Sequence, residues 1–293
     1  MNPALYLKNV KDIVQKEIKY LSNLYPYNLK RFIDTKLLHA SSILTFITPG
    51  SELHYSFLDK LVNLMAGIEI LAIGVNLHSF NIDDFSFLTD KMGQDVNKLN
   101  MAVIEKNYTI DLLFGDIFYS RAVIYILRYG DFYIFDSILN SLKSVHEGRL
   151  FLHHKLVETV SKNNSSFMRL NKIRKHRNDF KKRAEELIIE NEDLISGMNS
   201  ILKTSFFIGW GIFSNTDKQG FPYSIINNFI LLKTFNDLEN FFANLPKNFI
   251  FLKNISYIKS KKQFLINELN KSIAGLELAP LRDNLKVLKK LYY

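Results

Sequence analysis

The chain has 293 residues, enough for one large domain or two small ones around a substantial core. Hydrophobic residues make up 47% and aromatic residues 13%, which excludes an intrinsically disordered chain. The absence of cysteine excludes disulfides, thiolate nucleophiles and cysteine metal sites, while a net charge of +9 favours polyanions: nucleic acid, phosphate esters or acidic lipid headgroups.

From the N-terminus, "MNPALYLKNVKDIVQKEIKYL" is interrupted by charge every few residues and lacks the apolar core and cleavage site of a secretory signal, so a cytoplasmic chain is expected. Val10, Ile13, Val14, Ile18 and Leu21 recur at helical spacing. The stretch 41–49, "SSILTFITP", can pass for a strand but finds no pairing partner. Residues 61–77, "LVNLMAGIEILAIGVNL", carry Asn63, Glu69 and Asn76 and fall short of a clean membrane span, which predicts a buried core helix. Further helical stripes run through Ile134, Phe135, Ile138, Leu139, Leu142 and Val145, then through Ala184, Leu187, Ile188, Leu194, Ile195, Met198 and Ile201. The second strand-like stretch is 249–258, "FIFLKNISYI", and Leu281, Leu285, Leu288 and Leu291 close the series. Breaks are expected at Pro49-Gly50, 161–166, 214–222, Pro246 and Pro280. With only 12 Gly and six Pro, no repeat and no low-complexity linker, the expectation is all-α: one helical domain over 1–293.

The charge excess is local. Residues 169–183, "RLNKIRKHRNDFKKR", hold eight Lys and Arg against one Asp, as an exposed helix or a polyanion-binding segment would. His146, His153 and His154 bring imidazoles near one another, but adjacent histidines on a helix face different directions, which argues against a metal site.

Several segments, taken in order, resemble the trans-isoprenyl diphosphate synthase family. Gly67-Ile68-Glu69-Ile70-Leu71 followed by His78 is similar to the family's Ala-Ile-Glu-Leu-Ile helix leading into His-Asp-Asp-x-x-Asp. "LLFGDIFYSRA" at 112–122 resembles the Leu-Ala-Gly-Asp helix start, with Gly115, Asp116, Arg121 and Ala122 in the expected places. "HEGRL" at 146–150 resembles the following Glu-Gly, "KTSFF" at 203–207 the Lys-Thr-x-x-Leu-Phe motif, and "APLRDNLKVLKKLYY" the usual ending. The likeness spans roughly 9–293 and implies a single helical bundle of the isoprenoid synthase type, with a basic insertion around 161–190.

The resemblance also defines what is missing. Family chemistry ionises an allylic diphosphate, and Mg²⁺ bridging the phosphate oxygens to two Asp-Asp-x-x-Asp motifs stabilises the leaving group; the ion demands about six oxygen ligands at roughly 2.0–2.1 Å. Here the first motif aligns with Ser79-Phe80-Asn81-Ile82-Asp83 and the second with Asn236-Asp237-Leu238-Glu239-Asn240, leaving Asp83 and Asp237 as vestigial metal positions. The isopentenyl diphosphate loop corresponds to Asp34–Ala40, which keeps Lys36 but no arginine fork. Lys203, Thr204, Lys247 and Lys36 are the residual diphosphate-binding residues. The positions that set product length in the family fall on Gly74 and Val75, both small.

A kept scaffold with eroded ligands resembles the small, non-catalytic subunit of two-component polyprenyl diphosphate synthases, component I of heptaprenyl diphosphate synthase in particular. That implies no cofactor in this chain alone, Mg²⁺ in a catalytic partner that carries intact motifs, a heterodimer, and a role in quinone side-chain synthesis. An alternative is a divergent prenyltransferase with Asp83, Asp84, Asp90, Asp237 and Glu239 as an altered Mg²⁺ site. A third makes 169–183 a module for RNA or anionic membrane. Within the subunit reading the same run places the chain peripherally at the membrane, with no need of nucleic acid.

Overall fold

The computed structural model describes residues 3–24, 36–47, 55–82, 101–161, 177–213, 220–243 and 255–292. Their regular elements are all helical, without a strand among the described residues. In chain order they are α1 (Pro3–Ser22), α2 (Leu38–Leu44), α3 (Tyr55–Ile82), α4 (Met101–Leu127), α5 (Phe132–Ser161), α6 (Arg177–Glu190), α7 (Glu192–Ser196), α8 (Ser200–Phe213), α9 (Tyr223–Ala243), α10 (Ser256–Ala274) and α11 (Ala279–Lys289). Short 3₁₀ turns, Gly197–Asn199 and Lys290–Tyr292, precede α8 and follow α11.

Apolar periodicity sets which faces turn inward. On α1, Val10, Val14, Ile18 and Leu21 are buried; on α11, Leu281, Leu285 and Leu288 are. The stripe on α5 is only partly inward: Ile138 and Val145 are buried, whereas Leu139 is 41% exposed. Leu194, spaced like its buried neighbour Ile195, is exposed to the same degree. Each fully buried Leu, Ile or Phe side chain contributes about 1.5–3 kcal/mol, so these stripes are what hold the helices together.

Neither strand-like stretch forms a strand where it is described. Ser41–Leu44 complete α2, where Ser42 Oγ donates to Leu38 O at 2.8 Å and Thr45 Oγ1 to Ser41 O at 2.8 Å. A buried carboxylate holds the start of this helix: Glu69 Oε1 accepts the Ala40 N–H at 2.9 Å, and Glu69 Oε2 lies 3.2 Å from His39 Nδ1. That contact satisfies one of the unpaired donors of a first helical turn, and it comes from a residue far away in sequence. Residues 249–254 lie outside the described residues, and Ser256–Ile258 open α10. Pro280 sits within the first turn of α11, where its missing N–H costs nothing, so the break falls just before it.

The central pair is α3 and α4. A side chain at Gly67 would strike Ile126 and Tyr125, one at Gly74 would strike Tyr119, and one at Gly115 would overlap His78. The pairings 67–126, 74–119 and 78–115 run in opposite directions, so the two helices are antiparallel and meet along a seam of small residues. The stretch Phe57–His78 is long and apolar enough to cross a membrane by length and composition, yet 78% of its apolar window is buried inside the bundle. The C-terminal segment folds back over α2 and α9. Asn284 Nδ2 donates to Thr45 O at 2.9 Å and Ile47 O at 3.1 Å, Asn236 Nδ2 donates to Tyr292 O at 2.9 Å, and Lys36 Nζ donates to Leu291 O.

Candidate functional site

The segment that the resemblance aligned with a second metal motif, 236–240, lies on α9, and its polar groups are committed to neighbours. Asp237 accepts from Lys233 Nζ, one turn earlier, through Oδ1 and from Asn199 Nδ2 at 3.1 Å through Oδ2. Asn199 also donates to Thr234 Oγ1 at 3.1 Å. Glu239 is paired with Lys262 of α10, and the Asn236 amide donates to a backbone carbonyl. Two carboxylates already neutralised by lysine, beside an amide that donates, do not fit a Mg²⁺ ion that needs several free oxygen ligands. Of the first motif, Ser79–Ile82 end α3, while Asp83, Asp84 and Asp90 lie outside the described residues.

The anion-side residues are dispersed. Lys247 lies outside the described residues, and Lys36 is turned to the C-terminal segment through its bond to Leu291 O. Lys203 is half-buried on α8. Thr204, beside it, shares a hydrogen bond with Ser141 of α5 and lines an open cleft. Gly74 faces the Tyr119 ring, with 2.6 Å from the position of an added Cβ to Cδ1. Val75 is buried and its carbonyl accepts from Arg149 Nη1 at 2.8 Å.

A polar cluster that sequence reading missed joins α3, α4 and α5. His78 Nε2 lies 3.1 Å from Leu112 O and 3.4 Å from Asp116 Oδ1. The His78 ring meets Tyr119 edge-on, 4.6 Å between centroids, and Tyr119 Oη is 3.1 Å from His146 Nε2. Burial raises the Tyr119 pKa, outweighing the opposing charge of Arg149, so its hydroxyl stays protonated and shares a hydrogen bond with His146 Nε2. Burial, then the charges of Arg149 and His78, hold His146 below its ordinary value of 6.5. A histidine kept neutral by its fold contributes stability that is present above the unfolded pKa of 6.5 and is lost as pH falls towards the folded value. His146→Asn is therefore expected to flatten the decline of stability below pH 6.5, read as denaturation midpoints across pH 5–7.5. Three residues separated by 41 and 27 positions leave no local signal of this kind; the glycines at 74 and 115 were the nearest clue.

The cleft itself is formed where α3 starts, where α4 turns into α5, and by one face of α8. Its volume is ≈ 580 Å³, and Phe57, Tyr129, Tyr133, Ile134, Phe207, Ile208 and Ile212 provide most of its walls. Gly130, with φ of +85°, makes the α4–α5 turn in a conformation that favours glycine. Phe207 is fixed by stacking on Phe221, 4.4 Å between centroids and 16° between planes, and Phe221 in turn meets Trp210 edge-on at 5.8 Å. Among the described residues, Thr204 is the one candidate site residue read from the sequence that lines this cleft.

No protein-family model matches the chain, and neither the curated proteins nor the solved structures compared with it yield a match.

Proposed function

We propose that the chain is the non-catalytic subunit of a two-component polyprenyl diphosphate synthase, folded as a bundle of the isoprenoid synthase type. The observation that carries this reading is the state of the second motif: its one aspartate in register, Asp237, is bonded to Lys233 and Asn199. The helix on which the family mounts a magnesium anchor holds in this chain an internal polar lock. The ordered sequence landmarks from Glu69 to the C-terminus and the all-helical architecture support the same scaffold.

A face left uncovered among the described residues supports a protein partner. Leu113, Ile117, Ile124 and Leu127 lie on one side of α4, all at least 37% exposed. Burying such a stripe against the catalytic subunit would remove apolar surface from water at about 25 cal/mol per Å². Mg²⁺ and the ionisation step belong to the partner, and the basic run 169–183 would draw the pair to an anionic membrane.

The test incubates the purified chain with Mg²⁺, farnesyl diphosphate and labelled isopentenyl diphosphate. No polyprenyl diphosphate is expected until the synthase subunit with intact aspartate motifs from the same genome is added. Ile117→Lys with Ile124→Lys should reduce the activity of the mixture by about tenfold or more while leaving the lone chain folded, because each places a charge in an apolar contact. Turnover by the lone chain at a rate matching the mixture would overturn the assignment.

A further inference from the structure

The cleft beside the α4–α5 turn has a charge character opposite to that of the chain. The net charge is +9, yet no Lys, Arg or His is among the described residues that line it. Its one carboxylate among the described lining residues is Asp131, and its aromatic rings are those of Phe57, Tyr129, Tyr133 and Phe207.

Asp131 is only half used by the fold. Its Oδ1 accepts the N–H of Tyr133 at 2.9 Å and of Ile134 at 3.2 Å, capping the start of α5. Its Oδ2 has no bond among the described residues. Tyr129, whose ring meets Phe57 edge-on at 5.9 Å, has its pKa raised by burial and by the charge of Asp131, so the negative field of that carboxylate reaches the cleft wall. Aromatic faces carry negative quadrupole charge and attract cations, ammonium groups above all. An anion would meet the Asp131 carboxylate and aromatic rings, with hydroxyls such as those of Ser137 and Thr204 as its donors and no cationic group among the described lining residues. The volume of ≈ 580 Å³ falls within the roughly 300–1,000 Å³ common for small-molecule sites.

We propose that this cleft binds an organic cation with an apolar body, its ammonium group between the aromatic faces and Asp131 Oδ2, its body against Ile208 and Ile212. Phe207 is held in place by its stack on Phe221, so the wall is formed before a ligand arrives. The cleft shares Thr204 with the residual diphosphate-binding residues read from the sequence, but the subunit assignment rests on Asp237, so either can fail without the other.

The experiment is calorimetric titration of the full chain with choline, with its neutral isostere 3,3-dimethylbutan-1-ol, with benzyltrimethylammonium and with benzoate. Choline is expected to bind about tenfold or more tightly than the isostere, with benzyltrimethylammonium tighter still because it adds apolar contact, and benzoate should not bind. Asp131→Asn keeps the cap, since Asn serves that position as well as Asp, so the thermal midpoint should hold while the preference for choline falls to about threefold or less. Phe207→Ala should weaken benzyltrimethylammonium. Equal binding of choline and the isostere, no heat from benzyltrimethylammonium at about 10 mM, or an undiminished preference in Asp131→Asn would each overturn the proposal.

Discussion

Arg121→Ala is expected to lower the stability of the chain by about 2–3 kcal/mol, measured by urea denaturation at pH 7. Glu17 is 4% exposed, and its carboxylate is held by Arg121 Nε at 2.8 Å, Arg121 Nη2 at 2.6 Å and Tyr125 Oη at 2.7 Å. Removing the guanidinium leaves a carboxylate in the core with a phenol as its partner. The cost for a fully buried pair is about 3–5 kcal/mol, but the Arg121 side chain is 40% exposed, so water already screens part of the interaction. Replacing both partners, Glu17→Leu with Arg121→Met, should recover most of the loss, because no charge is then stranded.

The same pair gives a pH signature. Burial alone would raise the Glu17 pKa; the hydrogen bonds from Arg121 and Tyr125 and the Arg121 charge outweigh it and hold the carboxyl below 4.5. A carboxylate whose folded pKa is depressed contributes stability that is present above 4.5 and lost as pH falls through the folded value. The difference between the native chain and Arg121→Ala should therefore shrink in acid. An equally large difference at pH 3 and pH 7 would mean that Arg121 acts through packing of its stem and not through the charge.

Gly209→Ala carries the second large expected effect, a loss of about 2–3 kcal/mol and a thermal midpoint lower by roughly 3–5 °C. A Cβ at Gly209 would lie 2.3 Å from Ile43 O and 2.8 Å from Ile43 Cα. These are backbone atoms, which cannot rotate aside, so α2 and α8 would have to separate along their contact. Gly211, two residues on in the same helix, is the control: nothing lies within 4 Å of its added Cβ. There the better helix propensity of alanine should stabilise by up to about 1 kcal/mol. Opposite signs for two glycines in "IGWGIF" are read directly from paired melting curves, and a matching loss at both positions would refute the packing argument.

Those two glycines mark the limit of sequence reading. Both sit in an apolar helix with the same neighbours, and only the position of α2 separates them. The helices themselves were legible, since Val10, Val14, Ile18 and Leu21 or Leu281, Leu285 and Leu288 repeat at the spacing of one helix face and are buried together. Leu139 and Leu194 fit the same spacing but are exposed, because a stripe can be wider than the surface available to cover it. The stretch 41–49 was ambiguous by itself for a different reason: a short apolar run has no period of its own, and the Glu69 carboxylate that holds the start of α2 comes from elsewhere in the chain.

The candidate sites divide along the same line. Thr204 was picked out by a local motif, and it lines the cleft, but its partner Ser141 lies 63 residues away. The lysines that engage Asp237 and Glu239 could not be assigned from spacing alone, although Lys233 stands four residues before Asp237. By itself, then, the sequence determined an all-helical chain with inward-facing stripes, an apolar core helix at 61–77 and a localised basic run. The tertiary structure alone decided which carboxylates are neutralised, where glycine is indispensable, and that an acid and four aromatic rings share a cleft in a basic chain. Helical periodicity is fixed by bonds four residues apart and is written locally, whereas pairing, packing and charge in a cavity depend on which helices come to lie side by side.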